Sequence, residues 1–168
     1  MPKLSVFLFF SLFIFSCSNE PSQKIIQGEI YGTTWQLKYF SDENEIPIKT
    51  LVVSELNRID KLFSHYKDDS LTSLINKNKI AYKDVAEEWK KLDKVGWDVH
   101  QQSNGYFNHK VSGDYDFNSF AKGYAVDKIS NILKANNINN FMVEIGGCLL
   151  YTSPSPRDRT RSRMPSSA

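Results

Sequence analysis

The sequence predicts an α+β fold, and three observations carry that reading. Ile30 to Phe40 alternates Tyr31, Thr33, Trp35, Leu37 and Tyr39 against Gly32, Thr34, Gln36 and Lys38, the period-two mark of a strand with one buried face. Three later stretches place apolar residues at helical spacing. Val143-Glu144-Ile145 then reads as a buried strand closed by the pair Gly146-Gly147.

Taken in chain order, Lys3 followed by Leu4 to Phe15 gives a positive head and an apolar run of signal-peptide length, too short to span a bilayer as a mature helix. Ile14-Phe15-Ser16-Cys17 resembles a bacterial lipobox, which makes residues 1–16 a lipoprotein signal and Cys17 the lipidated residue; an ordinary secretory signal cleaved near Ser18 is the alternative. Each buried methylene contributes about 0.8 kcal/mol, so two or three acyl chains would hold the protein stably on a membrane. Residues 17–27, opening with the polar run Ser18 to Gln23, read as a tether, and the protein is expected to be exported and anchored in the cell envelope, facing the periplasm.

After the strand, Ser41-Asp42-Glu43-Asn44 reads as a turn. Val52, Leu56, Ile59 and Phe63 mark one helix, and Val85, Trp89, Leu92, Val95 and Val99 mark a second that stops before Asn104-Gly105; both are expected to pack into the core. Ala121, Ala125, Ile129, Ile132 and Leu133 mark a third, with Lys122, Asp127 and Lys134 toward water and Asn136-Asn137 as its stop. There is no internal repeat.

From Cys148 to Ala168 the chain turns rich in Ser, Pro and Arg and loses apolar periodicity, which reads as a disordered tail. Its wording resembles the translation of a transposase-type sequencing-library adapter, so residues 148–168 are read as non-native. This alters the charge argument. The chain carries 21 basic and 19 acidic residues, or +2; Arg157, Arg159, Arg161 and Arg163 against Asp158 give the tail +3, leaving −1 for residues 1–147. No basic cluster remains to neutralise a nucleic-acid backbone, which excludes that class of partner. With Cys17 assigned to lipid and Cys148 in the tail, no disulfide framework exists, and stability rests on burial.

The most informative stretch is Asp116-Phe117-Asn118-Ser119-Phe120-Ala121-Lys122-Gly123-Tyr124-Ala125-Val126-Asp127, a polar loop feeding the third helix. A helix N-terminus offers backbone N–H groups without internal partners and a partial positive charge, so it can hold phosphate, and Lys122 adds a full charge there. On spacing alone the segment is equally an ordinary amphipathic helix that begins with a lysine.

Its wording is more specific. With the downstream Val143 to Gly147 it resembles the Asp-Leu-Ser-Ala-Ile-Ala-Lys-Gly-Tyr-Ala-Val-Asp signature of the FAD:protein FMN transferases, the ApbE family. Gly28-Glu29-Ile30-Tyr31-Gly32-Thr33-Thr34-Trp35, Leu62 to Ser70 and Ser103-Asn104-Gly105-Tyr106-Phe107-Asn108 resemble three further family segments in the family's order. The resemblance implies a T-fold-like α+β domain, truncated after the Val-Glu-Ile-Gly-Gly strand and occupying residues 28–147. It also implies Mg²⁺-dependent transfer of FMN from FAD to a threonine hydroxyl of an acceptor flavoprotein, such as a subunit of a redox-driven ion pump.

Carried over by position, the resemblance gives FAD contacts to Tyr31, Tyr66, Tyr106, Phe107, Asn108, Asp116 and Lys122, and a main-chain carbonyl ligand to Mg²⁺ at Ser119. Tyr31 and Tyr66 are alternatively half-buried core tyrosines, and Asn108, where the family has aspartate, a turn residue. His65 and His109 lack ligand spacing and read as structural or surface groups.

Two departures stand out. Between Lys110 and Asp116 only Val111 to Tyr115 replaces a longer family segment, through either a trimmed pocket wall or a lost piece. Past Gly147 the family continues into a His-x-x-Asp-Pro-x-Thr-Gly segment and an Asp and Thr pair, which hold the remaining metal ligands and the groups implicated in transfer. One carbonyl cannot hold Mg²⁺, so the chain as given is expected to be inactive by itself. A flavin- or nucleotide-binding lipoprotein without transfer activity, and an FAD pyrophosphatase, are the alternative functions.

Overall fold

The computed structural model describes residues 22–41 and 47–152. The signal, Cys17 and most of the turn after Ser41 lie outside them. Two strands, β1 (Ser22–Ile30) and β2 (Thr33–Ser41), form an antiparallel hairpin paired from Ile30↔Thr33 to Ser22↔Ser41. The single strand expected from Ile30 and the tether expected through residue 27 are both corrected by this pairing. The turn is Tyr31-Gly32, with φ of 54° and 68°, the left-handed pair that two-residue hairpins require. Tyrosine is a poor signal for such a turn, so the alternation ran through it unbroken. Gly28 lets Trp35 lie across β1: a Cβ there would sit 2.8 Å from the indole nitrogen.

Strands β5 (Phe141–Ile145) and β6 (Cys148–Tyr151) extend the sheet in the order β1-β2-β5-β6, while the two-residue strands β3 (Lys110–Val111) and β4 (Asp114–Tyr115) pair separately; every neighbour in the sheet is antiparallel. Gly146 and Gly147, φ 51° and 89°, make the turn between β5 and β6. The disordered segment expected from Cys148 is thus corrected for its first residues. Cys148 and Leu150 are partly buried and pack against the core, which draws them into the sheet, while residues from 153 onward lie outside the description.

Two helices, α1 (Ile48–Phe63) and α4 (Ala121–Ala135), share the core with this sheet. Val52, Leu56, Ile59 and Phe63 of α1, and Ala125, Ile129 and Leu133 of α4, are buried with Trp35, Leu37, Phe141, Val143 and Ile145. A short helix, α2 (Leu71–Asn76), is capped by Ser70, whose hydroxyl accepts from the Ser73 amide at 3.0 Å. Helix α3 (Glu87–Gln102) starts with Glu87 and Glu88, the charge its N-terminus favours.

The buried face of α3 differs from the expected one. Trp89 and Leu92 are buried, but Val95 and Val99 are exposed, and Asp93 and Gly96 take their place inside. The reason is His109, fully buried against this face, whose Nε2 lies 2.7 Å from Asp93 Oδ1. Gly96 leaves room for the ring, since a Cβ there would lie 2.6 Å from Nδ1. Around His109 gather Phe107, Tyr115, Phe117 and Phe120, an aromatic layer beneath the start of α4. The short bridge after Lys110 closes as a hairpin of β3 (Lys110–Val111) and β4 (Asp114–Tyr115) through Ser112-Gly113, both at positive φ. Among the described residues no helix is long and apolar enough to cross a membrane.

Candidate functional site

Phe117, fully buried edge-on to Phe63 and Trp89, anchors the loop that enters α4. Its carbonyl accepts from the amides of Phe120 and Ala121 at 3.1 and 2.7 Å, which winds the chain into the helix. Phe120 occupies the cap position and contributes no side-chain cap. Among the described residues no acceptor engages the N–H groups of Lys122 or Gly123. Helix α4 therefore begins with free donors at the positive end of its dipole.

These donors adjoin a cavity of about 330 Å³ lined by Tyr31, Asp60, Tyr66, Asn118, Ala121 and Lys122, with Ile59, Phe63 and Ser64 behind them. A shallower groove of about 870 Å³ shares Tyr31, Asp60, Ser64 and Tyr66 and runs along the β1–β2 turn. Tyr31 reaches the cavity because its left-handed turn throws the side chain toward α1, where its hydroxyl donates to the Leu56 carbonyl at 2.9 Å. Burial, reinforced by the carboxylates of Asp60 and Glu55, raises its pKa far above the usual phenol range and keeps the hydroxyl neutral. Tyr66 is mostly exposed, its ring 3.9 Å from that of His65 between centroids and its hydroxyl 3.4 Å from Asn118 Nδ2. It leaves one face free for stacking.

Lys122 belongs to none of the ion pairs among the described residues. Its stem runs past the β5–β6 turn: a Cβ on Gly146 would lie 3.1 Å from Lys122 Cδ and 2.7 Å from Thr33 Cγ2. The paired glycines thus have separable reasons, close approach to the lysine and threonine at Gly146 and turn geometry at both.

Three of the seven residues expected to contact FAD, Tyr31, Tyr66 and Lys122, therefore line one cavity. Asp116 lies beside it in a neighbouring cavity of about 300 Å³, where Oδ1 accepts from the Asn118 amide at 2.8 Å and faces His65 Nδ1 at 3.3 Å. Tyr106 projects into solvent. Phe107 packs its ring against His109 and Phe120. Asn108 is exposed and its Oδ1 accepts from the Lys110 amide at 2.9 Å, the geometry of a turn residue. His109 is structural, held by Asp93.

No backbone hydrogen bond among the described residues ends on the Ser119 carbonyl, so that oxygen is open to a cation. No group of three His, Cys, Asp or Glu side chains that could hold a metal accompanies it among the described residues. These residues alone do not make a Mg²⁺ site. Sequence reasoning missed Asp60, a buried carboxylate on the cavity wall paired with Lys67. Its signal was an aspartate wedged between Ile59 and Phe63 on the apolar stripe of α1.

The sequence model of the ApbE family matches residues 31–113 and 110–163. The two stretches overlap over residues 110–113, in the β3–β4 hairpin. The FAD:protein FMN transferase of Buchnera aphidicola (subspecies Schizaphis graminum) is 27% identical over 198 positions, covering 86% of this chain and 58% of that protein. The alignment is longer than this chain, so part of that protein faces gaps here. Among solved structures, the flavin transferase ApbE of Vibrio cholerae superposes with a TM-score of 0.71 at 18% identity, covering 82% of this chain and 62% of that one. The apo flavinyl transferase ApbE of Pseudomonas stutzeri gives 0.71 at 21% identity, covering 83% and 64%. The chain thus spans about three fifths of the length of these relatives, and the structural likeness establishes a shared α+β fold.

Proposed function

We propose, because this chain belongs to the ApbE family, that the intact protein is an FAD:protein FMN transferase. In the proposed reaction a threonine oxygen of an acceptor flavoprotein attacks the phosphorus of the FMN half of FAD. The new phosphoester bond forms as the pyrophosphate bond breaks, AMP leaves, and the hydroxyl proton is lost. The acceptor we favour is a subunit of a redox-driven ion pump, reached by an enzyme lipidated at Cys17 and facing the periplasm.

The observation that carries the reading is the meeting, around one cavity, of Lys122, which forms no ion pair and has a free N–H group among the described residues, with the rings of Tyr31 and Tyr66. Fixed donors and a cation suit a diphosphate, and the exposed face of Tyr66 suits a flat ring. Magnesium dependence is part of the proposal; the described residues do not complete its shell.

The test uses the protein extended to the length of its relatives, incubated with FAD, Mg²⁺ and a threonine-bearing acceptor. Intact-mass analysis is expected to show the acceptor gaining one FMN less water, and an acceptor with valine at that position gaining nothing. Release of free FMN and AMP with an unlabelled acceptor would assign a pyrophosphatase instead, and FAD binding without turnover a non-catalytic flavin protein. Lipid labelling that persists in Cys17→Ser would refute the anchor.

A further inference from the structure

We propose that Glu88, which lies on α3 and lines none of the cavities described, is a positioning residue for FAD: it holds Tyr124 and thereby fixes the first turn of α4, which carries Lys122. The inference rests on the proposed reading of the cavity as the FAD site.

Glu88 accepts from three residues on two other helices. Arg58 of α1 clasps it through both terminal nitrogens, at 2.6 and 2.8 Å. From α4 the Tyr124 hydroxyl donates to Oε1, and Lys128 Nζ approaches the same oxygen at 3.3 Å. Arg58 is itself fixed by Glu55 at 2.8 Å from two of its nitrogens. One carboxylate therefore ties α1, α3 and α4 together.

The position of this tie is what matters for the ligand. Residues two apart on a helix project about 200° from one another, so Tyr124 and Lys122 leave α4 on opposite sides. Lys122 lines the cavity, while Tyr124 does not and packs its ring edge-on to Phe63 at 5.5 Å, behind the cavity's inner wall. Among the described residues the start of α4 has no side-chain cap and its Lys122 and Gly123 N–H groups are unengaged. Polar contacts that restrain the first turn come from behind, through Tyr124 and Glu88. Arg58 likewise directly precedes Ile59 and Asp60 of the opposite cavity wall. The hydrogen bond from Arg58, supported by those from Tyr124 and Lys128, holds the Glu88 carboxyl down at about 2, so the anchor stays ionised across the working pH range.

The experiment is a titration of FAD fluorescence against the full-length protein, with thermal midpoints measured separately, for wild type, Glu88→Gln, Tyr124→Phe, Lys122→Met and the double variant Glu88→Gln/Lys122→Met. Glu88→Gln is expected to weaken FAD binding roughly tenfold, and Tyr124→Phe, which keeps the ring, to reproduce that loss with a smaller fall in midpoint. With Lys122 already removed, Glu88→Gln is expected to change affinity less than about twofold while lowering the midpoint as before. Glu88→Asp, which keeps the charge, should recover part of the affinity. Wild-type affinity in Glu88→Gln, or an equal loss with and without Lys122, would overturn the inference and leave the flavin reading standing. Absence of FAD binding by the wild type would remove the flavin reading and this inference with it.

Discussion

Replacing Gly146 by alanine tests the link between the β5–β6 turn and the lysine. Its φ of 51° lies in the left-handed region, where an L side chain costs roughly 1–2 kcal/mol. The added methyl would stand 2.7 Å from Thr33 Cγ2, well inside contact distance, and 3.1 Å from Lys122 Cδ. The backbone of Thr33 is held in β2 by its pairing with Ile30, so relieving the contact requires the Thr33 side chain to shift, and overpacking adds about 1–3 kcal/mol. The lysine stem can yield by a few tenths of an ångström. We therefore expect Gly146→Ala to lose about 2–5 kcal/mol in urea denaturation, with only a small change in FAD affinity. The double variant Gly146→Ala/Thr33→Ser removes the obstructing methyl and keeps the hydroxyl. It should regain the steric share and retain the conformational loss of roughly 1–2 kcal/mol. A single variant within 0.5 kcal/mol of wild type, or a double variant no better than the single, would refute the argument.

Lys122→Met should weaken FAD binding by about 10- to 100-fold, the loss of a charge-assisted contact of roughly 1.5–3 kcal/mol, with little change in stability; calorimetric titration reads both affinity and stoichiometry. Gly96→Ala should destabilise the protein despite a gain of about 1 kcal/mol in helix propensity, because the methyl collides with the buried His109 ring at 2.6–2.7 Å; a raised thermal midpoint would contradict this. Asp93→Ala should cost about 1–3 kcal/mol in chemical denaturation by stranding His109 Nε2 in the aromatic layer, while the Tyr82 hydroxyl, which donates to Asp93 at 2.9 Å and whose pKa burial and that bond push up to about 12, finds water instead. Glu88 has its folded pKa depressed to about 2 from 4.5, so its stabilising contribution is complete above about pH 4.5 and is lost as pH falls through 2; the denaturation midpoints of wild type and Glu88→Gln should converge over that window.

What the sequence disclosed, and what it hid, divides along physical lines. Helices α1 and α4 were legible because their buried faces are aliphatic and their partners are an ordinary sheet, so hydropathy at 3.6-residue spacing coincides with burial. Helix α3 was legible as a helix but not in its orientation. Its inner face is decided by a histidine thirteen residues beyond Gly96, and no local pattern marks an aspartate and a glycine as interior while leaving Val95 and Val99 outside. Strand β1 was missed because an edge strand needs only one apolar face, and Gln23, Lys24 and Gln27 gave a tether's composition to residues whose backbone completes a hairpin.

The site obeys the same division. Lys122, Tyr31 and Tyr66 could be singled out as residues, but 91 positions separate the first tyrosine from the lysine. Their meeting depends on two left-handed turns: the one at Tyr31-Gly32 aims the phenol at α1, and the one at Gly146-Gly147 clears a path for the lysine stem. Asp60 shows the converse. A carboxylate on an apolar stripe looks like a lapse in periodicity until Lys67 and the cavity give it partners. Because these turns are set by single glycines and by one tyrosine at positive φ, they carry no hydropathy pattern of the kind that marks the helices, so the residues could be read from the sequence while their meeting could not.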